Sequence, residues 1–454
     1  MDRPFAGAAH ASERDRSIVR PLAARVMEIA SLPKMDERRK AWRASHDLKS
    51  YRPVIIFETF AVEGFKDESA LQCEDPYLRD VEKHLREMIR HFEEIDDDFV
   101  IDPCFRVPWK FRSSGYGVDM GLLRGVDSES RDIAYSYDYF VKEPEDIDKL
   151  QHNTHEVFRE DTLALAAKVE GALGDLLPVR VGGLDIVFTE YDGMSALCKE
   201  AEWPGGPGGG KRYVGYTPFW GDYCLAICMA VYKLLGNDNL SFWPYDCPDD
   251  LKRLFDFICD DRIMFYEWAE KEGLLASNAN AAMIGSGPLG FVSDLETDSA
   301  EPTTLNRLWG WAEAQEAEIY SPEMFAEFCL PYLKKAGDRF GLITYGCCEK
   351  LGDRLQTVLA TMANIRTVSV SPYNDDKHMA EIIGKRYGYC RKIHPTPMSV
   401  ATADFDWMRR EMESIAAATR DCHLQIAVRD VYDVHGDFAR MGKWASMTKK
   451  ILGM

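Results

Sequence analysis

Two adjacent cysteines and a glutamate follow a strand-like segment in the sequence ITYGCCEK, residues 343–350. Thiolate is a strong ligand for zinc, and carboxylate is an acceptable one. On a strand, Cys347 and Glu349 point to one side and Cys348 to the other, and this alternation relaxes beyond the strand end. These three residues are therefore candidates for a metal site. The alternative is that both cysteines simply pack at the end of a strand.

A catalytic zinc needs about three protein ligands and one open position. Further donors are expected from other segments that end beside this one. The candidates are Glu313, Glu316 and Glu318 after RLWGWAEA, Cys390 and His394 in YGYCRKIHPTP, and Asp430 at the end of LQIAVRD.

Strand-like and helical patterns alternate along the chain, which indicates a parallel sheet with helical crossovers. The expected fold is α/β, a (β/α)8 TIM barrel over residues 51–454 with an N-terminal helical extension over residues 1–50. In such a barrel, chemistry takes place at the carboxyl ends of the strands. Predicted strands are 53–58, 99–103, 177–188, 281–285, 307–314, 341–346, 365–371 and 424–430, and predicted helices include 75–94, 161–173, 222–235, 249–272, 322–339, 350–362, 377–387, 406–419 and 437–452.

Three further stretches are open to more than one interpretation. The acidic run at 93–98 is interpreted as a solvated turn. The segment GGPGGGKR has Arg212 where a phosphate loop needs Ser or Thr, so residues 204–210 are predicted to be a flexible loop. Gly287, in the segment SGPLG, allows close backbone approach and is a candidate for substrate contact.

Composition excludes several classes of protein. The net charge is −20, with 75 acidic against 55 basic residues, so the chain lacks the basic face that nucleic-acid binding needs. No apolar run approaches the roughly 18 residues that span a membrane, and residues 1–20 lack the apolar core that a secretory signal needs. A cytoplasmic protein with reduced cysteines is expected.

Four stretches of the chain resemble the uroporphyrinogen decarboxylase-like superfamily, and within it the anaerobic branch of corrinoid-dependent methyltransferases. They are ERRKAWRASHDLKSYRPVIIFE (37–58), SPEMFAEFCLPYLKKAGDRFGLITYGCCEKL (321–351), IRTVSVSPYNDD (365–376) with KIHPTP (392–397), and LQIAVRDVYDVHGDFARMGKW (424–444).

The resemblance implies a (β/α)8 barrel and, in this branch, zinc held by a His-x-Cys pair and a later cysteine. Cys347 matches the first cysteine, Tyr345 stands in place of the histidine, and the later cysteine falls near Asp430. The arginine-rich substrate motif of true uroporphyrinogen decarboxylases is missing, which argues against a porphyrinogen substrate.

The function expected is that of a zinc-dependent methyltransferase that demethylates a small methylated substrate, such as an aryl methyl ether or a methylamine. The methyl group would pass to cobalamin on a partner corrinoid protein, and homodimer formation is left open. One alternative is a metal-independent decarboxylase of a non-porphyrin acid, with Arg366, Arg391 and Lys392 as carboxylate anchors. Another is a corrinoid or tetrapyrrole carrier, for which the chain lacks a D-x-H-x-x-G motif. Expected site residues are Glu318 and Asp430 for catalysis, His394 and Gly287 for substrate, and Cys347, Cys348, Glu349 and Cys390 for metal.

Overall fold

The computed structural model describes residues 10–118, 122–126, 132–186, 223–295 and 303–454. The glycine-rich loop predicted at 204–210 lies outside these ranges. None of the helices in the described ranges has the length and apolar character needed to cross a membrane.

Helices and strands alternate through most of the described chain. The helices are α1 (Glu13–Ala30), α2 (Pro33–His46), α3 (Pro76–Glu94), α4 (Arg159–Leu173), α5 (Ile227–Asp246), α6 (Pro248–Lys271), α7 (Pro322–Phe328), α8 (Leu330–Gly337), α9 (Arg354–Thr361), α10 (Asp376–Ile383), α11 (Thr396–Ser399), α12 (Phe405–Ala418) and α13 (Ala439–Leu452). The strands are β1 (Val54–Phe57), β2 (Phe105–Ser113), β3 (Leu122–Val126), β4 (Asp132–Tyr137), β5 (His155–Val157), β6 (Val179–Ile186), β7 (Trp309–Ala312), β8 (Leu342–Tyr345), β9 (Ile365–Val370), β10 (Gly388–Lys392) and β11 (His423–Val428).

Six strands form the main sheet, in the order β1-β11-β10-β9-β8-β7. All five pairings between neighbours are parallel. Beyond β7 the sheet continues as a short parallel bridge between Cys224 and Trp311. The predicted α/β fold with a parallel sheet is therefore confirmed. Backbone pairing does not close the sheet into a ring within the described residues.

The free edge of β1 is covered by two aspartates. Asp97 accepts a hydrogen bond from the Phe57 N–H at 2.8 Å, and Asp98 accepts one from the Ile55 N–H at 2.9 Å. Both aspartates are buried. The prediction that residues 93–98 form a solvated turn was wrong for these two, because their carboxylates replace the backbone partners that β1 lacks on this side.

Two predicted strands are absent. Residues 99–103 form no strand, and the next strand starts only at Phe105. The Phe99 N–H donates to the Asp97 side chain at 3.0 Å, so it is not available to a neighbouring strand. Residues 281–285 form a loop with a single bridge between Met283 and Leu289. The helix predicted over 322–339 is divided at Cys329 into α7 and α8, and Pro331 in the first turn of α8 has no N–H to continue the earlier helix.

The loop at 284–291 packs on one face of the main sheet, which we call the inner face. Leu289 and Phe291 share a core cluster there with Ile56, Cys390 and Ala427. Gly287 approaches the sheet so closely that an added Cβ would lie 2.4 Å from the Ala427 Cβ, and its φ is +112°.

A second sheet, in the order β5-β2-β6, pairs β2 with β6 in parallel and with β5 antiparallel. Strands β3 and β4 form an antiparallel pair. Neither sheet contributes one of the predicted site residues.

Candidate functional site

The two thiols of the GCCE segment lie side by side just beyond β8. Gly346 turns the chain with a φ of +102°, and an added Cβ there would lie 2.5 Å from the Ser369 carbonyl oxygen. The turn brings the Cys347 and Cys348 Sγ atoms to 3.7 Å. Cys347 is buried and Cys348 is half-buried. The glycine is therefore a geometric requirement for presenting both thiols together.

Asp430 reaches the same place from the end of β11. Its Oδ2 lies 3.8 Å from the Cys348 Sγ, and about a third of its side chain, 37%, is exposed. Its backbone adopts a φ of +58°, a conformation uncommon outside glycine. The predicted proximity of Asp430 to the cysteines is thus present in the structure.

Glu349 supports the turn from beneath. Its carboxylate accepts hydrogen bonds from the Cys347 N–H at 2.6 Å and from the Ala314 N–H at 3.2 Å. The side chain is fully buried. These bonds tie the end of β8 to the end of β7, so the carboxylate is engaged in holding the cysteines in position.

Two buried cations lie against the thiols. Lys392, at the end of β10, donates to the Cys347 carbonyl oxygen and, at 2.7 Å, to the Ser369 Oγ. Arg429 lies between Glu58 and Asp430, with its Nε 3.5 Å from a carboxylate oxygen of each, and donates to the Ser286 hydroxyl.

This environment shifts the pKa values of the two thiols in opposite directions. The hydrogen bond from Cys347 is the largest influence lowering the pKa of Cys348, and Lys392 and Arg429 act in the same direction. The pKa of Cys347 is raised because it donates that bond and is buried. Cys348 is therefore the thiol that more readily becomes the thiolate, the form that binds metals.

Three further carboxylates also lie at strand ends: Glu313 and Glu316, which were candidate donors but not among the expected site residues, and Glu58, which was not a candidate. In the parts of the chain that the structure describes, neither oxygen of Glu58, after β1, has a hydrogen-bond partner, and the same holds for one oxygen each of Glu313 and Glu316, after β7. Burial raises the pKa of Glu58 to about 7 and that of Glu316 to about 7. Burial and the neighbouring Glu316 and Glu349 raise the pKa of Glu313. The sequence held a signal for Glu58, which ends PVIIFE as Asp430 ends LQIAVRD.

Other predicted site residues lie apart from the thiols. Glu318 is exposed on the turn after β7. Cys390 lies within β10 on the inner face, with its Sγ 3.7 Å from the Ser286 carbonyl oxygen. The His394 ring lies 5.7 Å from Tyr373 and 6.0 Å from Trp407, measured between ring centroids. Gly287 packs near Glu58 and Cys390.

Two thiols and one carboxylate are a donor set that suits zinc. Tetrahedral zinc with bonds of about 2.3 Å to sulfur separates two thiolates by about 3.8 Å, close to the 3.7 Å between Cys347 and Cys348. Within the described residues, no three His, Cys, Asp or Glu side chains already form a metal-binding group. The thiol pair thus has the right spacing, and the part-exposed Asp430 carboxylate has to turn to complete the set.

Comparisons with known proteins leave the family open. No family model matches the chain, and no curated protein matches it. Among solved structures it is similar to a methyltransferase from Methanosarcina mazei, with 10% identity and a TM-score of 0.45, over 91% of this chain and 97% of that one. Similarity at this level assigns neither an activity nor a family.

Proposed function

We propose that the chain is a zinc-dependent methyltransferase that demethylates a small methylated substrate, such as an aryl methyl ether, and passes the methyl group to a corrinoid protein. The closed (β/α)8 barrel and membership of the uroporphyrinogen decarboxylase-like superfamily are part of this proposal. The observation that carries it is the Cys347–Cys348 pair at zinc-like spacing, with Asp430 next to Cys348.

Each part of the site has a role in this proposal. Cys347, Cys348 and Asp430 would hold the zinc, which supplies Lewis-acid stabilisation of the departing oxygen. Glu349 fixes the turn through the Cys347 N–H, and Lys392 fixes it through the Cys347 carbonyl oxygen. Cobalamin would be carried by the partner protein.

The structure makes the decarboxylase alternative less suitable. Arg366 pairs with Asp294 and donates to the His46 carbonyl oxygen. Arg391 pairs with Asp376 at 2.6 Å. Two of the three expected carboxylate anchors are therefore engaged elsewhere, and Lys392 alone lies beside the thiols.

Zinc content and methyl transfer test the proposal together. We expect about one zinc per chain after anaerobic purification, and loss of both zinc and methyl transfer in Cys347→Ala and Cys348→Ala. Cys422→Ala is the matched control, because Cys422 lies before β11 at the opposite end of the strand from Asp430. Full zinc occupancy and unchanged turnover in Cys347→Ala would show that the thiol pair is structural.

A further inference from the structure

A cavity of about 700 Å³ lies between α3, the start of β2 and the inner face of β1. Its volume is within the range of small-molecule pockets, about 300–1,000 Å³. One wall comes from α3, and the opposite wall comes from residues 280–283 and Leu289 of the loop on the inner face. Its apolar lining includes Ile56, Val81, Met88, Ile101 and Met283.

Glu58 lines the cavity at the end of β1. Its two carboxyl oxygens are covered and have no hydrogen-bond partner in the described part of the chain. A buried carboxyl without hydrogen bonds is costly to the fold, and the ion pair with Arg429 at 3.5 Å offsets that cost only in part. Rotation of the side chain would let it gain a hydrogen bond from a ligand in the cavity.

The cavity is joined to the thiol site through one guanidinium. The Arg429 Nε is 3.5 Å from Glu58 and 3.5 Å from Asp430, whose other oxygen is 3.8 Å from the Cys348 Sγ. A ligand held at Glu58 would therefore have its inner end close to the candidate metal site.

Four basic side chains (Lys66, Lys83, Lys110 and Arg106) and four acidic ones (Glu58, Asp80, Glu87 and Asp102) line the cavity, so its wall is balanced in charge and favours a neutral ligand. Lys66 pairs with Glu87 at 3.5 Å, and Lys83 pairs with Glu68. These two lysines are thus already neutralised by acids, so they offer little attraction to a carboxylate. Burial also raises the pKa of Glu58, although Arg429 opposes it, so this carboxyl donates a hydrogen bond more readily than an ordinary glutamate.

We propose that this cavity binds the methyl donor, that the donor is a neutral aromatic ether, and that Glu58 contacts a second oxygen on its ring, such as the hydroxyl of 2-methoxyphenol, and not the departing ether oxygen. The inference rests on the proposed methyl transfer for the identity of the ligand as a donor. The pocket and its preference for a neutral aromatic molecule are tested by binding alone.

The experiment measures binding of two matched probes, neutral 2-methoxyphenol and anionic 2-methoxybenzoate, by isothermal titration calorimetry at neutral pH. The wild-type chain is expected to bind 2-methoxyphenol at least about ten-fold more tightly than 2-methoxybenzoate, since removing a charge from water without a partner is unfavourable. Binding of neither probe, or equal binding of both, would overturn the proposal.

A second experiment fills the cavity with larger side chains. Ala282→Phe in the loop and Met88→Trp on α3 enter it from opposite walls, and each is expected to reduce affinity for 2-methoxyphenol at least about ten-fold by excluding the ring. Ala416→Phe is the matched control, because it fills a different cavity of about 550 Å³ beside Arg52 and Leu424. Retained binding in both Ala282→Phe and Met88→Trp would place the ligand elsewhere, and the two independent walls guard against one variant that fails to fold.

Glu58→Met tests the contact with oxygen, since methionine has a similar size and no hydrogen bond of comparable strength. We expect a loss of about ten-fold in affinity for 2-methoxyphenol and a smaller loss for toluene, which has no oxygen. Equal losses for both molecules would remove Glu58 from the contact.

The two proposals fail in different ways. If 2-methoxyphenol binds as expected and no methyl group reaches a corrinoid protein, the pocket stands and the methyltransferase proposal falls. If methyl transfer from 2-methoxyphenol occurs and is unchanged in Ala282→Phe and Met88→Trp, the pocket falls and the methyltransferase proposal stands.

Discussion

Buried acids lie at the free edge of strand β1 and at its carboxyl end, and they differ in their hydrogen bonding and in the direction of their pKa shifts. On its free edge, Asp97 accepts hydrogen bonds from the Phe57 and Phe99 N–H groups and from His91. Its pKa is lowered, since these bonds and the His91 charge outweigh the effect of burial. At the end of the same strand, neither carboxyl oxygen of Glu58 has a hydrogen-bond partner among the described residues, although Arg429 forms an ion pair with it, and burial raises its pKa to about 7. Burial alone therefore does not distinguish a structural acid from a functional one.

The ends of β7 and β8 repeat the contrast. Glu349 accepts two backbone hydrogen bonds and joins the strands, whereas one oxygen of Glu313, also buried, has no hydrogen-bond partner within the described ranges. Native proteins rarely leave buried polar atoms unsatisfied. We infer that Asp97, Asp98 and Glu349 maintain the sheet, whereas Glu58 and Glu313 keep carboxyl oxygens available to a ligand.

The largest effect on stability is expected for Asp98, one of the hydrogen-bonded acids at the free edge of β1. Asp98→Ala should lower the free energy of unfolding by about 4 kcal/mol, because it leaves the Ile55 N–H and the partly buried Arg52 without their partner. The midpoint and slope of urea unfolding measure it.

The control lies in the same acidic run. Glu93 pairs with Arg25 at the surface, so Glu93→Ala should change stability by less than about 0.5 kcal/mol. Similar losses in the two variants would mean that Asp98 does not seal the edge of β1.

Much of the main sheet could be predicted from the sequence. The segments of β1, β7, β8, β9 and β11 are short apolar runs with a clear break after them. Strand β10 lacks that signal, because Arg391 and Lys392 end it although both are buried. Their charges are met by Asp376 and by the turn after β8, which are partners that only the folded chain brings near.

The candidate site was less accessible to prediction. The thiol pair and Asp430 were chosen correctly as neighbours, since both follow predicted strands. Glu318 was preferred to Glu313 and Glu316 without a means of telling which side of the turn each occupies. Asp97 and Asp98 were assigned to solvent because an acidic run resembles a surface turn, and sequence does not reveal that β1 has an unpaired edge for them to cover.

An intermediate effect is expected where the loop approaches Glu58. Gly287→Ala should cost about 3 kcal/mol, through a left-handed φ and a contact with Ala427 that the loop must relieve. Gly352→Ala is the matched control, since its φ is +52° and nothing lies within 4 Å of an added Cβ, so strain alone of about 1 kcal/mol is expected. Thermal unfolding of both variants gives the difference, and equal shifts would show that the loop is not packed against the sheet as described.

The smallest expected effect is a difference between Glu58 and Asp97 in how each contributes to stability as pH changes. Glu58 has a raised pKa in the folded chain, about 7 against an ordinary 4.5, so its folded form holds a proton that the unfolded form loses first. Its contribution to stability therefore falls as pH rises from 4.5 to 7, by about 2 kcal/mol between pH 5 and pH 7. Glu58→Gln removes this fall, so the variant should gain stability relative to wild type over that interval in urea unfolding.

Asp97→Asn should show the opposite sign, because the lowered pKa of Asp97 gives stability that is present above its ordinary pKa and is lost as the solution becomes more acidic. The contrary result is a difference in unfolding free energy between wild type and Glu58→Gln that stays constant from pH 5 to pH 7. That result would show that Glu58 has hydrogen bonds as good as those of Asp97, and it would remove the contrast between the two acids.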